Sequence, residues 1–192
     1  MTRCAITNRK IVSSEEQAAR RALLDLARWW AHAGIDYLQL REKDLEAAEM
    51  VSLARRILTE LAGSRTKLLI NGRLDVALAT GAHGVHLTSR EGELTPAQVR
   101  SIFPEAIVSV SCHTIDDVRH SLDADFLLFG PVFEKSVTGE RVAEGSGLEL
   151  LHQACLAAGQ VPVLALGGIT ADNTNACLEA GASGIAGIRL FL

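Results

Sequence analysis

Residues 68–87 read LLINGRLDVALATGAHGVHL. An apolar run, KLLIN (67–71), ends at Asn71, and a second, GVHL (84–87), begins at Gly84. The segment between them carries Asp75 on a helix that stops near Gly81, a residue suited to a left-handed C-terminal cap. Strand, helix and strand inside one short stretch is the pattern of parallel strands joined by a right-handed crossover.

The same unit repeats on both sides. Upstream lie the runs CAIT (4–7) and DYLQL (36–40); downstream lie IVSVS (107–111), DFLLF (125–129), PVLAL (162–166) and GIAGI (184–188). The intervening segments, EEQAARRALLDLARWWAHAG (15–34) and LEAAEMVSLARRILTELAG (45–63) among them, place apolar residues three and four apart, which marks one buried helix face. Gly34, Gly63, Gly159 and Gly181 sit near helix ends, and Thr95-Pro96 and Thr170 supply N-cap chemistry. Eight units predict a single (β/α)8 TIM barrel spanning residues 1–192 as one domain. A doubly wound open sheet also satisfies the alternation and stays open at this point.

The chain is short for this fold, which typically needs about 250 residues. Only RLFL follows Ile188, so the last helix is expected to be short or missing. The apolar groove left behind is one that a second subunit can fill, and a homodimer is the corresponding expectation. Hydrophobic residues make up 48% of the chain and aromatic ones only 4%, so the core must be aliphatic, as suits parallel strands buried on both faces.

Charge and composition exclude several classes. A net charge of -4 with no basic stripe argues against nucleic-acid binding. No apolar run approaches the roughly 20 residues that span a membrane, and MTRCAITNRK (1–10) has no apolar signal core, so a cytoplasmic location is expected. Cys4, Cys112, Cys155 and Cys177 match neither a CxxC pair nor a zinc ligand set and read as free thiols.

In a closed parallel barrel, chemistry gathers at the C-terminal strand ends. That rule selects Gln39, Arg41 and Lys43 after the second run, Asn71 after the third, His86 and Thr88 on the fourth, Ser111 and His113 on the fifth, and Gly130 after the sixth. Gly167 and Gly168 follow the seventh run; Gly187, Ile188 and Arg189 end the eighth. Paired glycines there let backbone N–H groups approach a phosphate, a reading this fold favours over a tight turn ahead of the next helix. Arg41 and Lys43 can hold an anion, or REKD (41–44) can be a charged loop with local ion pairs. In GVHL the alternation lets His86 face the lumen, whereas His113 belongs to the rim, where histidine suits proton transfer. Cys112 should point away from the mouth. Among the scattered carboxylates Asp44, Asp75, Glu91 and Asp125, only Glu91 is placed to meet a metal, and no metal or cofactor is expected.

QLREKD (39–44), LLINGRLDVALATGAHGVHL (68–87), VSVSCHT (108–114), FLLFGPVFE (126–134) and LALGGITADN (164–173) together resemble the thiamine-phosphate synthase/TenI family. The resemblance runs over nearly the whole chain, in order. It implies one of two activities. Synthases join a pyrimidine pyrophosphate to a thiazole phosphate with magnesium; TenI-like tautomerases aromatise a thiazole phosphate carboxylate without a metal. Three departures fall on the pyrophosphate and metal parts of a synthase. Asn71-Gly72 replaces Asn-Asp, Thr88-Ser89-Arg90-Glu91 replaces a Gly-Gln-Glu-Asp type run, and Glu134-Lys135-Ser136-Val137-Thr138 lacks the Thr-x-Thr-Lys run. The NGR at 71–73 and the SxH at 111–113 look like the tautomerase branch.

That resemblance implies His113 as the proton-transfer residue and a small phosphorylated thiazole as the substrate. Gln39, Arg41, Asn71, Ser111 and Gly130 would bind it, with phosphate on Gly167, Gly168, Gly187, Ile188 and Arg189. Three other readings remain open at this stage: a synthase, a non-catalytic ligand-binding or regulatory barrel, and another sugar-phosphate isomerase on the same fold. Residues 135–146, with Gly139 and Gly145, suit a lid.

Overall fold

The computed structural model of the chain describes every residue except 91, 138 and 139, and only the backbone of 135–143. Its barrel strands are β1 (Thr2–Ile6), β2 (Tyr37–Leu40), β3 (Lys67–Asn71), β4 (Gly84–Thr88), β5 (Ile107–Cys112), β6 (Phe126–Phe129), β9 (Val163–Leu166) and β10 (Gly184–Gly187). All neighbours pair in parallel, and the sheet closes through β1, which bonds to both β2 and β10. Closure removes the open-sheet alternative. Residues 135–143, read as loop from sequence, contain a short antiparallel hairpin, β7 (Lys135–Val137) with β8 (Glu140–Ala143); Gly139 lies outside the described residues.

The helices are α1 (Arg9–Val12), α2 (Glu16–His32), α3 (Ala47–Glu60), α4 (Leu74–Thr80), α5 (Pro96–Ile102), α6 (Ile115–Arg119), α7 (Gly147–Ala158) and α8 (Ala171–Glu179). Their starts follow capping chemistry. Thr95, Thr114 and Thr170 each accept a hydrogen bond from the backbone N–H three residues on, and the side-chain oxygen at that position accepts one from the backbone N–H of the cap residue. In α2 the buried positions are Ala19, Leu23, Leu24, Ala27 and Trp30, the three-and-four spacing of one inward stripe.

Strand alternation divides the apolar residues into two layers. Leu38, Leu40, Leu68, Ile70, Val85, Val108, Val110, Leu127, Phe129 and Val163 point outward into the space under the helices. Cys4, Ile6, Leu69, Phe126, Leu128, Leu164 and Ala186 fill the lumen. The apolar lumen filling thins toward the C-terminal strand ends, where Gln39, Asn71, His86, Ser109 and Ser111 replace it.

Residues 188–192 after β10 form bends and a turn. Trp30 anchors this tail by donating its indole N–H to the Phe191 carbonyl at 2.8 Å. Val12, Ala22, Asp25, Leu26 and Leu192 line a shallow, largely apolar cavity of about 530 Å³ beside it. Among the described residues, no helix is long and apolar enough to cross a membrane.

Candidate functional site

The polar patch in the lumen is set by strand register. Asn71 pairs with His86, His86 with Ser109, and Thr88 with Ser111, so the inward positions of β3, β4 and β5 meet at one level. His86 is 3% exposed and both ring nitrogens are engaged: Nδ1 lies 2.8 Å from Ser109 Oγ and Nε2 lies 2.8 Å from Ser111 Oγ. Burial, and next the nearby Arg41 cation, push its pKa down to about 3, so the ring is neutral at physiological pH. Gln39, on β2, is 1% exposed, and its side-chain Nε2 has no partner among the described residues. A buried amide donor without an acceptor is costly, which suits a position awaiting a ligand.

The rim is organised by the start of α6. Asp117 accepts the backbone N–H of His113 at 2.8 Å and that of Thr114 at 2.9 Å, while Thr114 Oγ1 accepts the Asp117 N–H at 3.0 Å. Burial alone would raise the Asp117 carboxyl. The two backbone donors, with the Ser89 and Thr114 hydroxyls, outweigh it, and the group is held below the usual carboxylate range. The reciprocal cap fixes the chain at His113, whose side chain then bonds through Nδ1 to the Gly130 carbonyl. A carbonyl can only accept, so Nδ1 carries the proton and Nε2 is left as a lone pair in the neutral ring. Cys112 is buried on the helix side of β5, away from the mouth as expected. Thr114 and Asp117 are not among the residues singled out from sequence, although Thr-x-x-Asp directly after a strand is a legible cap signal.

Gly167 has φ +93°, and a Cβ there would lie 2.6 Å from Pro131 Cα; a Cβ on Gly168, at φ +65°, would lie 2.7 Å from Phe133 Cβ. The glycines are therefore required by the chain after β6 packing against them, a reason not anticipated from sequence. They still leave the backbone exposed on the other side. Among the described residues, no acceptor is found for the backbone N–H of Gly168, Ile188 or Arg189. Gly130 also has no room for a side chain, since a Cβ would come within 2.0 Å of the Leu166 carbonyl oxygen.

The REKD loop divides its charges. Arg9, only 3% exposed, donates from its backbone N–H and from Nη1 to the buried Glu42, forks onto Asp44 with two bonds of 2.8 Å, and reaches Glu16 through Nε. Hydrogen bonding to Asp44, ahead of that to Glu16 and Glu42, raises the Arg9 pKa against the opposing effect of its burial. Lys10 adds a second cation on Asp44. Sequence reasoning missed Arg9, because its carboxylate partners lie 33 and 35 residues away. Arg41 takes no part in this cluster. Its backbone N–H bonds to Thr7 Oγ1 at 2.9 Å, and its guanidinium forms no ion pair among the described residues. Lys43 is exposed.

The synthase branch implied by the resemblance uses magnesium, and the described residues do not fit it. A magnesium–phosphate site is normally held through one or two carboxylates. Glu42 and Asp44 are occupied by Arg9, Asp117 by backbone N–H groups, and Asp75 by Arg73. Asp125 lies before β6, at the opposite barrel end, bound to Val108 N–H and Arg100. Among the described residues no three His, Cys, Asp or Glu side chains gather as a metal site; Glu91 lies outside them.

Residues 6–191 match the family model described as thiamine monophosphate synthase. A putative thiamine-phosphate synthase of Geobacter sulfurreducens is 40% identical over 190 residues, covering 95% of this chain and 85% of that protein. The thiamine-phosphate synthase of Moorella thermoacetica is 38% identical over 188 residues, covering 95% of this chain and 86% of its own. Among solved structures, thiamine phosphate pyrophosphorylase from Pyrococcus furiosus superposes with a TM-score of 0.80 at 26% identity, over 97% of this chain and 85% of that one. These relatives carry the synthase name, so the tautomerase branch expected from sequence draws no support from them.

Proposed function

Because the chain belongs to the thiamine monophosphate synthase family, we propose that it is an enzyme of thiamine-phosphate formation that holds a thiazole phosphate at the C-terminal end of the barrel and moves a proton on it. The observation that carries this reading is the His113 ring. Its Nδ1–H is pinned to the Gly130 carbonyl, leaving Nε2 as a base at the rim. The substrate is a dihydrothiazole phosphate carboxylate with an exocyclic double bond. Its phosphate takes the vacant N–H groups of Gly168, Ile188 and Arg189, with Gly167 and Gly187 shaping the two turns. Its carboxylate meets Arg41, Gln39 and Asn71 orient the ring, and Ser111 contacts the substrate from the end of β5. His113 Nε2 takes a proton from one substrate carbon and returns it to another. The reaction is an isomerisation, so no co-reactant is needed, and aromaticity of the product drives it. Residues 1–192 act as one domain in this scheme.

Coupling of a pyrimidine pyrophosphate to thiazole phosphate is the second reading, favoured by the names of the relatives. Against it stand Gly72, where the synthase pattern has an aspartate, and the carboxylates already taken up by cations and backbone donors. One assay separates the two. Incubated with the dihydrothiazole phosphate carboxylate alone, the protein should yield the aromatic thiazole phosphate carboxylate. Given magnesium and both synthase precursors, it should release no pyrophosphate. The reverse outcome establishes coupling. Binding with neither reaction establishes a non-catalytic barrel.

A further inference from the structure

His86 is a buried titratable group that the proposed reaction does not use. Its surroundings nevertheless dictate how one site residue must act. Ser109 is 0% exposed, and its hydroxyl has His86 Nδ1 as its only partner among the described residues. If Nδ1 carried a proton, Ser109 would accept it and its own hydroxyl hydrogen would be buried with no acceptor. Leaving a buried donor unmade is the costlier error, because an oxygen can leave one lone pair unused at little penalty. Ser109 therefore donates to Nδ1, and the single ring proton sits on Nε2. From there it is donated to Ser111 Oγ at 2.8 Å.

Ser111 lies at the strand end and is only partly buried. With its oxygen receiving the histidine N–H, its own hydrogen is free for the mouth. A protonated ring would break this order by donating to both serines. Burial and the Arg41 cation both oppose that state, and the pKa of about 3 reflects them.

We propose, resting on the ligand placement above, that His86 is a positioning residue: the Ser109–His86–Ser111 chain makes Ser111 an obligate hydrogen-bond donor, aimed beside Arg41 at the carboxylate of the substrate. The pair then selects carboxylated over non-carboxylated thiazole phosphates. A hydroxyl that is free to rotate can accept as readily as donate; one whose oxygen already holds a histidine proton is committed to donating. That commitment is what a merely space-filling histidine would not supply.

Two measurements test it. The first uses ligand-free protein: the ¹⁵N spectrum of the His86 imidazole should report a bare Nδ1 and a protonated Nε2. A protonated Nδ1 overturns the proposal. The second compares calorimetric affinities for aromatic thiazole phosphate carboxylate and for thiazole phosphate lacking the carboxylate. Ser111→Ala and His86→Asn should each weaken the carboxylated probe by roughly 10–100-fold, the range for a hydrogen bond to a charged group. The double variant should be no worse than either single one. His86→Gln, which can still place an N–H near Ser111, should recover most of the loss. Affinity for the non-carboxylated probe should fall far less than affinity for the carboxylated one, and an unchanged circular dichroism spectrum shows that the variants remain folded.

Losses that multiply in the double variant, or that fall equally on both probes, overturn the proposal. A wild-type protein that binds the carboxylated probe while showing the other tautomer overturns this proposal and leaves the ligand site standing. A wild-type protein that binds neither probe overturns both.

Discussion

His86, on β4, and His113, just past the end of β5, stand at the same end of the barrel and have opposite fates. His86 points into the lumen from β4, and serines hold both its nitrogens. His113 sits past the end of β5, exposed, with one nitrogen on a carbonyl and the other available. Residue type does not decide which histidine is open to a ligand. Burial and the number of occupied nitrogens do. The walled-in ring fixes the direction of neighbouring hydroxyls, and the rim ring can exchange a proton with a ligand.

The largest test of that contrast is removal of the rim ring. His113→Ala or His113→Gln should lower tautomerisation by about 10²–10⁴-fold, the usual contribution of a positioned base, with thermal unfolding nearly unchanged. Wild-type turnover in both variants would place the base elsewhere.

Removing the buried ring should do the opposite, lowering stability. His86→Leu strips Ser109 of its only partner among the described residues and should cost about 1–3 kcal/mol by urea unfolding. The same histidine gives stability a pH dependence. Its folded pKa of about 3 lies below the ordinary value of 6.5, so below pH 6.5 the unfolded chain takes up a proton that the folded chain refuses. Stability is complete above pH 6.5 and falls as pH drops toward 3. In His86→Gln that slope should flatten between pH 6.5 and 4, while acid loss from depressed carboxylates such as Asp117 persists at lower pH. An unchanged slope would mean that His86 is not held neutral.

The smallest effect concerns the cap that carries His113. Thr114→Ala removes an N-cap hydroxyl and should cost about 1 kcal/mol, typical of such caps. It should also lower turnover, since Asp117 loses one of its partners in holding the His113 N–H. A stability loss with no change in turnover would separate the cap from the site.

Much of this was legible in the chain. The strand runs and the glycine and threonine punctuation located the barrel, because parallel strands buried on both faces write themselves as unbroken apolar runs. The inward direction of His86 followed from alternation in GVHL. Its serine partners did not, since strand stagger is set by closure of the whole barrel. The β7–β8 hairpin was read as loop, because KSV and ERVA are too short and polar to signal strands. The Arg9 cluster was invisible for a different reason: a buried cation and its carboxylates, 33 and 35 residues apart, are joined only by the fold. The REKD loop allows two readings from sequence, an anion site and a charged loop with local ion pairs. Glu42 and Asp44 adopt one, in ion pairs with Arg9, while Arg41 is left available for the other. The glycines at 167 and 168 were attributed to an anion, and packing against Pro131 and Phe133 adds a second constraint that no local pattern could reveal.

The most direct test is where thiazole phosphate binds. Amide ¹H–¹⁵N spectra recorded during titration with thiazole phosphate should show the N–H groups of Gly168, Ile188 and Arg189 moving together and saturating, with His113 following. The amides of the groove around Val12, Leu26 and Leu192 should stay still. Saturable shifts confined to that groove, with Gly168, Ile188 and Arg189 unmoved, would contradict a phosphate site at the strand ends.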